Sequence, residues 1–276
     1  MIDNYKLMRL DSWLDLAQAS LKSANISSAR LDSELIAAFV VNKTRVWVHS
    51  HPEYQPNLDE QTKLSDLLKR RVANKPIAYI LGEKEFYGRC FFINESVLVP
   101  RPESESLVNL ALSIKSKDLK FIDIGTGSGV LGITVILERP NWKAHLTDVS
   151  NDALVVTKTN LVHYKVEKLA KVRNQHLLNN DENEYGLAIA NLPYVPDNFC
   201  NNPDLRAEPT IALFSGSDGL DLYREFFAQI KSLKLKPFNI ITESLLSQHK
   251  ELEKLASQSG YTLLSTKGLG QHFVLV

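Results

Sequence analysis

Two different spacings of apolar residues divide this chain. From the N-terminus to about residue 75, apolar residues recur three and four positions apart, as in "SWLDLAQASLKSANI" and "ARLDSELIAAFVV". This spacing predicts amphipathic helices, the first of which is expected to begin after Asp11 and Ser12. From Ser104 onward, short aliphatic runs alternate with helical stretches, and this alternation predicts strands joined by crossover helices.

A segment of a third kind joins the two parts. "PIAYILGEKEFYGRCFFINESVLVPRPESE" is aromatic, β-branched and interrupted by glycines and prolines, which is typical of a hairpin. The pattern predicts a helical domain over 1–75, a β-hairpin connector over 76–103 and an α/β domain over 104–276. For the last domain we expect a mostly parallel, doubly wound sheet built from "KFIDIG", "KAHLTDVS", "YGLAIAN", "FNIITES", "YTLLSTKG" and "QHFVLV".

The composition is that of an ordinary globular protein. Of 276 residues, 44% are hydrophobic, and the formal net charge is zero. Because phosphate backbones are bound by clustered Lys and Arg, this neutrality argues against nucleic acid as the main partner. The sequence shows neither a signal peptide nor an apolar run long enough to cross a membrane. The two cysteines, Cys90 and Cys200, form no motif and fit a reducing compartment, so we expect a cytoplasmic protein.

The run "FIDIGTGSGVLG" predicts a strand, a glycine-rich turn and the start of a helix. Gly127, Gly129 and Gly132 satisfy the G-x-G-x-x-G pattern of dinucleotide-binding proteins, which is a weak signal by itself. The alternative is the S-adenosylmethionine (SAM) loop of class I methyltransferases, in which glycines let the cofactor lie close against the backbone.

Two acidic residues distinguish these alternatives. Asp123 lies inside the predicted strand, where its carboxylate would repel a pyrophosphate held at the helix N-terminus but attract the ammonium group of SAM. Asp148 ends the next predicted strand, where an acid can accept hydrogen bonds from both ribose hydroxyls. The structural alternative for Asp148 is a cap on the helix that follows. The loop and the two acids together favour SAM over a dinucleotide.

The segment "IANLPYVP" follows a buried-strand pattern, so Asn191 is expected where a strand leaves the sheet. Its structural interpretation is a simple turn, since Asn and Pro are common turn residues. Its functional interpretation is a methyl-acceptor site, in which the Asn191 side-chain oxygen and the Leu192 carbonyl accept the N–H groups of a weakly nucleophilic nitrogen. Pro193 would fix the turn, and Tyr194 would offer a flat face to a planar amide or base. This chemistry needs no metal, and the seven histidines lack the spacing of metal ligands.

Six segments, in order along the chain, resemble those of the HemK/PrmC family of protein-(glutamine-N5) methyltransferases, which act on peptide chain release factors. They are "RLDSELIAAFVV", "KPIAYILGEKEFYG", "VLVPRPESE", "FIDIGTGSG", "IANLPYV" and "AEPTIALFSGSDGLDLYREF". The resemblance runs through nearly the whole chain. It implies a class I SAM-dependent methyltransferase domain with a Rossmann-like doubly wound sheet, preceded by a helical substrate-recruiting domain and a β-hairpin.

The resemblance also implies roles for individual residues. SAM would be bound by Asp148 and by the loop of Gly125, Thr126, Gly127, Ser128 and Gly129. Beside these residues we expect Asp123 and Asn191 in the cofactor site. The tetrapeptide Asn191, Leu192, Pro193 and Tyr194 would bind the acceptor glutamine and catalyse the transfer. The implied substrate is the Gly-Gly-Gln loop of a release factor, and the enzyme is expected to be a monomer without direct contact to nucleic acid or membrane.

Two positions depart from the family pattern. Leu192 stands where the family usually has proline, and because the backbone carbonyl is retained we expect a small effect on the chemistry. The segment "NQHLL" provides Gln175 and His176 where the family usually has an acid near the adenine. An amide can still accept a hydrogen bond from the adenine amine, so both residues are expected in the cofactor site. The structural alternative is a solvated loop.

Three other functions stay open on the sequence alone. A ribosomal-protein glutamine methyltransferase would use the same residues. Asn-Leu-Pro-Tyr also resembles the motif of rRNA adenine N6-dimethyltransferases, so an rRNA or DNA adenine methyltransferase is a further alternative. A degenerate family member would bind a partner without turnover, although retention of Asp123, Asp148, Asn191 and Tyr194 argues against that.

Overall fold

The computed structural model describes residues 8–179, 181–199 and 207–276, so Cys200 lies outside the described residues. The chain forms two compact units, which divide between Gly82 and Glu83. The division falls after a short helix that follows Pro76, whereas the sequence pattern changes near residue 75. The separate roles expected for the two parts stay predictions.

The first unit is helical in its described part, as the spacing of apolar residues predicts. The buried side chains of its core come from successive helices and include Leu10, Trp13, Leu21, Ile36, Val48 and Leu64. The helices are α1 (Leu10–Ser23), α2 (Ala29–Val40), α3 (Arg45–Ser50), α4 (Leu58–Val72) and α5 (Ile77–Leu81).

The start of α1 differs from the prediction. The helix begins at Leu10 and not after Asp11 and Ser12. The reason is tertiary, because the N–H groups of Leu10 and Asp11 donate to the carbonyls of Tyr54 and Pro52 at 2.8 and 3.1 Å. The first turn therefore needs no side-chain cap at the expected position.

The second unit opens with the predicted β-hairpin. Strands β1 (Glu83–Phe86) and β2 (Arg89–Phe92) pair antiparallel around a two-residue turn at Tyr87 and Gly88. Both turn residues have positive φ, 53° and 69°, as the hairpin turn of type I′ requires. The following chain leads to the α/β part of the unit.

The predicted mostly parallel sheet is confirmed, with seven strands in the order β5-β4-β3-β6-β7-β9-β8. All neighbouring pairs from β5 to β7 are parallel, and β9 pairs antiparallel with both β7 and β8. The strands are β3 (Lys120–Ile124), β4 (Lys143–Asp148), β5 (Ala170–Asn174), β6 (Leu187–Ala190), β7 (Asn239–Glu243), β8 (Tyr261–Lys267) and β9 (Gly270–Leu275). Among them, β5 was not expected from the sequence.

Helices cover both faces of the sheet. On one face Ile122 and Ile124 of β3 share a core with residues of α9 and α10, and on the other face Asp123 contacts α7. In the described ranges, no helix combines the length and apolarity that crossing a bilayer requires. The helices of this unit are α6 (Glu105–Leu112), α7 (Val130–Glu138), α8 (Asn151–Tyr164), α9 (Asp221–Ser232) and α10 (His249–Gln258).

The strand order reverses between β3 and β6, which are parallel neighbours near the centre of the sheet. Their last residues, Ile124 and Ala190, are partners in the ladder, so Gly125 and Asn191 leave the sheet side by side. Ligands of doubly wound sheets bind at such a reversal, beyond the carboxyl ends of the strands.

Candidate active site

A cavity of about 300 Å³ opens beyond the carboxyl ends of β3 to β6, and we call it the strand-end cavity. Each of these strands contributes residues to its wall. They include Gly125 and Gly127 after β3, Asp148 at the end of β4, Gln175 and His176 after β5, and Asn191, Leu192 and Pro193 after β6. The fold therefore brings most of the predicted site residues to one place.

The glycine loop forms one side of this cavity. Gly125, Gly127 and Gly129 have φ values of 68°, 55° and 84°, a region that residues with a Cβ rarely adopt. A Cβ at Gly127 would meet no described atom within 4 Å, whereas one at Gly129 would lie 2.8 Å from Ile133. Gly127 thus faces open space, whereas at Gly129 the φ of 84° disfavours any side chain and a Cβ would also crowd Ile133. Thr126 and Ser128, which are buried, connect these glycines.

Asp123 lies behind the loop and is not among the residues that line the strand-end cavity. Its Oδ2 accepts hydrogen bonds from the Thr126 hydroxyl at 2.6 Å and the Gly132 N–H at 3.0 Å. Burial raises the pKa of Asp123 to about 6, against the effect of these two hydrogen bonds. The contacts of Asp123 hold the loop in shape, so its contact with a cofactor ammonium stays a prediction.

Asp148 does line the strand-end cavity. Its Oδ2 accepts from the Gly127 N–H and its Oδ1 from the Ser150 N–H, both at 2.9 Å. Burial raises the pKa of Asp148, opposed by these backbone hydrogen bonds. The cap of α8 is Ser150, whose side chain accepts from the Ala153 N–H at 3.2 Å, so Asp148 is not the helix cap that the sequence also allowed.

Gln175 and His176 follow β5 at the edge of the cavity. The Gln175 side-chain N–H groups donate to the Leu177 carbonyl at 3.1 Å and to Asp181 at 3.3 Å. The Gln175 side-chain oxygen therefore takes part in neither of these hydrogen bonds. His176 Nε2 lies 2.8 Å from Glu225 Oε1 on α9. Gln175 and His176 both line the strand-end cavity.

A second cavity of about 120 Å³ adjoins the first, and we call it the tetrapeptide cavity because Asn191–Tyr194 all line it. It also contacts Arg101 and Glu243. The two cavities share part of their walls, namely Leu98, Asn191, Leu192, Pro193 and Ala212. The first three residues of the tetrapeptide thus border both cavities, and Tyr194 borders the second alone.

The backbone of the tetrapeptide is held by residues that the sequence alone did not indicate. The Tyr223 hydroxyl accepts from the Leu192 N–H at 3.3 Å and lies within donating distance of the carbonyls of Ala190 (2.9 Å) and Glu243 (2.6 Å). The Gln248 side chain donates to the Tyr194 carbonyl at 2.8 Å. These contacts join the ends of β6 and β7 and fix where the Leu192 carbonyl lies.

The side chains of the tetrapeptide are held by a hydrogen-bond chain that ends at Glu243. The hydroxyls of Tyr194 and Ser104 donate to Glu243 Oε1 at 2.9 and 3.1 Å, and Asn191 Nδ2 donates to Ser104 Oγ at 3.1 Å. Burial raises the pKa of Glu243, and chiefly the hydrogen bonds from Ser104 and Tyr194 oppose the rise. Sequence analysis missed Ser104 and Glu243.

An ion pair supports the wall near Arg101. Arg101 pairs with Glu208, which is buried and also accepts the Val99 N–H at 2.9 Å. Glu105, at the start of α6, accepts the Tyr87 N–H of the hairpin turn at 2.8 Å. These acidic side chains therefore fix loops around the site.

Comparison with known proteins adds to this geometry. Residues 12–82 match the PrmC N-terminal domain and residues 104–202 match the methyltransferase small domain. The release factor glutamine methyltransferase of Coxiella burnetii is 34% identical over 234 residues, covering 84% of this chain and 84% of that protein. This chain belongs to the release factor glutamine methyltransferase family. A second member, from Leptospira interrogans, is 36% identical over 199 residues, covering 67% of this chain and 68% of that protein.

The fold of this family member is also found among solved structures. The hMettl16 catalytic domain, in complex with MAT2A 3'UTR hairpin 6, superposes with a TM-score of 0.54 at 16% identity, covering 76% of this chain and 81% of that chain. Such a likeness shows the fold alone. The sheet and the family together confirm the predicted class I fold, and the chain is a SAM-dependent methyltransferase.

The strand-end cavity fits SAM in size and in the groups it offers. Its volume of about 300 Å³ is within the range of small-ligand pockets. The open space beside Gly127 lets a ligand approach the loop backbone. The Asp148 carboxylate and the Gln175 amide oxygen are acceptors suited to ribose hydroxyls and to an adenine amine. Contact of Gln175 with the adenine stays a prediction.

Proposed function

We propose that this chain transfers a methyl group from SAM to the side-chain amide nitrogen of a glutamine in the Gly-Gly-Gln loop of a peptide chain release factor. The observation that carries the proposal is the tetrapeptide Asn191–Tyr194, which lines the tetrapeptide cavity and whose first three residues also line the strand-end cavity. An acceptor amide in the tetrapeptide cavity would lie beside the strand-end cavity. The names of the curated relatives support the choice of substrate.

Two acceptors of this chain would hold the glutamine amide. Asn191 Nδ2 donates to Ser104, so its Oδ1 is available to accept one substrate N–H. The Leu192 carbonyl would accept the other, with its backbone held through Tyr223. Both dipoles then stabilise the positive charge that develops on the nitrogen, and they need no reorganisation during the reaction.

The remaining groups bind and enclose the reactants. When bound, SAM supplies an electrophilic methyl group, and Asp148, Gln175 and the glycine loop would hold it. The Tyr194 ring would offer a face to the planar amide, since its hydroxyl is fixed by Glu243. Burial raises the pKa of Tyr194, so its hydroxyl stays protonated and acts as a donor and not as a base.

Labelled SAM would test the acceptor directly. We expect label on an intact release factor and none on the same factor with its loop glutamine changed to alanine. Ribosomal protein and rRNA serve as parallel acceptors under the same conditions. Label on ribosomal protein or on rRNA alone would replace the proposed substrate, and the absence of transfer to every acceptor would indicate a family member without turnover.

The oligomeric state of the protein, its location and its lack of nucleic-acid binding are part of the same proposal. We expect the chain to act as a monomer in the cytoplasm and to recognise its substrate through protein contacts, without direct binding of nucleic acid. Sedimentation should give one copy of the chain, and labelled rRNA should not bind at the concentrations at which release factor does. Dimers in sedimentation, or rRNA binding with comparable affinity, would contradict these two points.

A further inference from the structure

Glu243 is a buried carboxylate at the carboxyl end of β7, next to the strand that carries the tetrapeptide. It lines the tetrapeptide cavity, with only 1% of its surface exposed. Its Oε1 receives two hydroxyl donors, and its Oε2 is buried with no hydrogen-bond partner among the described residues. Burying a carboxylate costs free energy, so its place here calls for a reason.

The hydrogen-bond directions around Glu243 supply one. Because Oε1 acts as an acceptor, the Tyr194 and Ser104 hydroxyls must both donate to it. A hydroxyl has one proton, so Ser104 can then only accept from Asn191, and the Asn191 amide must turn Nδ2 toward it. Asn191 Oδ1 is thereby left for another donor. The Glu243 carboxylate, which can only accept, therefore sets the direction of each hydrogen bond from Glu243 to Asn191.

We propose that Glu243 is a positioning residue that fixes the direction of the Tyr194–Glu243–Ser104–Asn191 hydrogen bonds, so that Asn191 presents an acceptor oxygen to the substrate amide. The inference rests on the proposed function, because the amide of a glutamine offers the N–H group that this oxygen would accept. Glu243 itself acts on the reaction through Asn191. Sequence position agrees with this role, since Glu243 ends β7 as Asp148 ends β4.

The Glu243→Gln variant tests the direction of the bonds while keeping the shape of the side chain. The Gln side-chain amide can donate as well as accept, so the hydrogen bonds can reverse direction. The Asn191 amide would then point Nδ2, and not Oδ1, toward the substrate. We expect kcat on release factor to fall about 10²-fold, as for a misplaced catalytic group. The Kd of SAM should stay at the wild-type value, because Glu243 does not line the strand-end cavity.

Two further variants separate positioning from a general loss of structure. Thr242→Val is the matched control, because Thr242 is the preceding residue of β7, is fully buried and has a hydroxyl without a hydrogen-bond partner in the described structure. It should keep wild-type kcat. Ser104→Ala breaks the link to Asn191 but leaves that between Glu243 and Tyr194, and it should lower kcat in the same direction as Glu243→Gln.

A double variant gives the decisive measurement. If Glu243 acts through Asn191, Glu243→Gln should lower kcat much less in the Asn191→Ala background than in the wild type. If the two substitutions act independently, the fold-losses in kcat should multiply. Wild-type kcat in Glu243→Gln, or fold-losses that multiply in the double variant, would overturn the inference while the proposed function stands. If the wild-type chain does not methylate the glutamine, the proposed function fails first and this inference fails with it.

Discussion

At the scale of single residues, the proposed chemistry depends most on one oxygen atom of Asn191. The Asn191→Ala variant removes an oriented acceptor beside a centre that becomes positive. We expect the single-turnover rate on release factor to fall about 10²–10³-fold, comparable to the loss of one preorganised dipole. The melting temperature should change little, because the residue follows β6 and is only partly buried. Near-normal transfer at saturating SAM would mean that the segment is only a turn.

Asp123 gives a prediction about pH and stability. Its pKa in the folded protein is about 6, above its ordinary value of 3.8, so the folded state binds the proton more tightly. The resulting stabilisation is fully present below the ordinary pKa and is lost as pH rises through 6. Between pH 4 and pH 7, the free energy of unfolding of the wild type should fall by about 2–3 kcal/mol relative to Asp123→Asn, which retains an acceptor oxygen but does not titrate. Urea unfolding measures both free energies. If they change equally with pH in the wild type and in Asp123→Asn, the prediction is wrong.

Residues at strand ends could be predicted from the sequence, and residues that act across the fold could not. Asp148 and Asn191 each follow a recognisable aliphatic run, so their place at the cavity follows from the topology of a parallel sheet. Glu243 ends the run "FNIITES" in the same way, and this signal was available. Ser104 and Tyr223 reach the tetrapeptide only through tertiary contacts 87 and 31 residues away along the chain, and no local pattern indicates them.

At the scale of elements, the segment before α9 supports the tetrapeptide by a close backbone approach. Gly219 has φ +80°, and a Cβ there would overlap the Tyr194 carbonyl oxygen and approach the Gln248 amide. Gly88 in the hairpin turn is the matched control, because its φ is +69° and a Cβ would meet nothing within 4 Å.

Gly88→Ala should therefore cost only the backbone strain, about 1–2 kcal/mol in the free energy of unfolding, and should keep methyl transfer. Gly219→Ala should cost more and should lower kcat about 10²-fold by moving Tyr194. Thermal unfolding and single-turnover transfer measure both quantities. Equal effects of the two variants would show that Gly219 is required only for its backbone conformation.

Strands and turns could be predicted where the pattern of their own residues determines the conformation. The central strands are fully buried aliphatic runs, and the hairpin has the aromatic and glycine content that its turn requires. Strand β5, "AKVRN", was missed because it has few apolar residues and lies at the edge of the sheet, where pairing with β4 provides its order. The start of α1 was misplaced because loop carbonyls from Pro52 and Tyr54 satisfy its first N–H groups.

At the scale of the whole molecule, the division after Gly82 suggests a test of substrate recruitment. A chain of residues 83–276 should bind SAM with wild-type affinity, because every described residue of the strand-end cavity lies in the second unit. It should lose most activity on an intact release factor but keep its activity on a short Gly-Gly-Gln peptide, which needs no distant contacts. Full activity on the intact factor would show that the helical unit does not recruit it.

The wall shared by the two cavities has a consequence for inhibition. Asn191, Leu192 and Pro193 border both spaces, so one ligand can reach from the first into the second around them. A SAM analogue in which a tertiary amine nitrogen replaces the sulfur has a third substituent, which can carry a carboxamide on a short linker. This linker would hold the carboxamide at a high effective concentration beside the tetrapeptide cavity. We expect calorimetry to give an affinity about 10²–10⁴-fold above that of S-adenosylhomocysteine. Asn191→Ala should remove most of this ratio, with both affinities measured in the same variant.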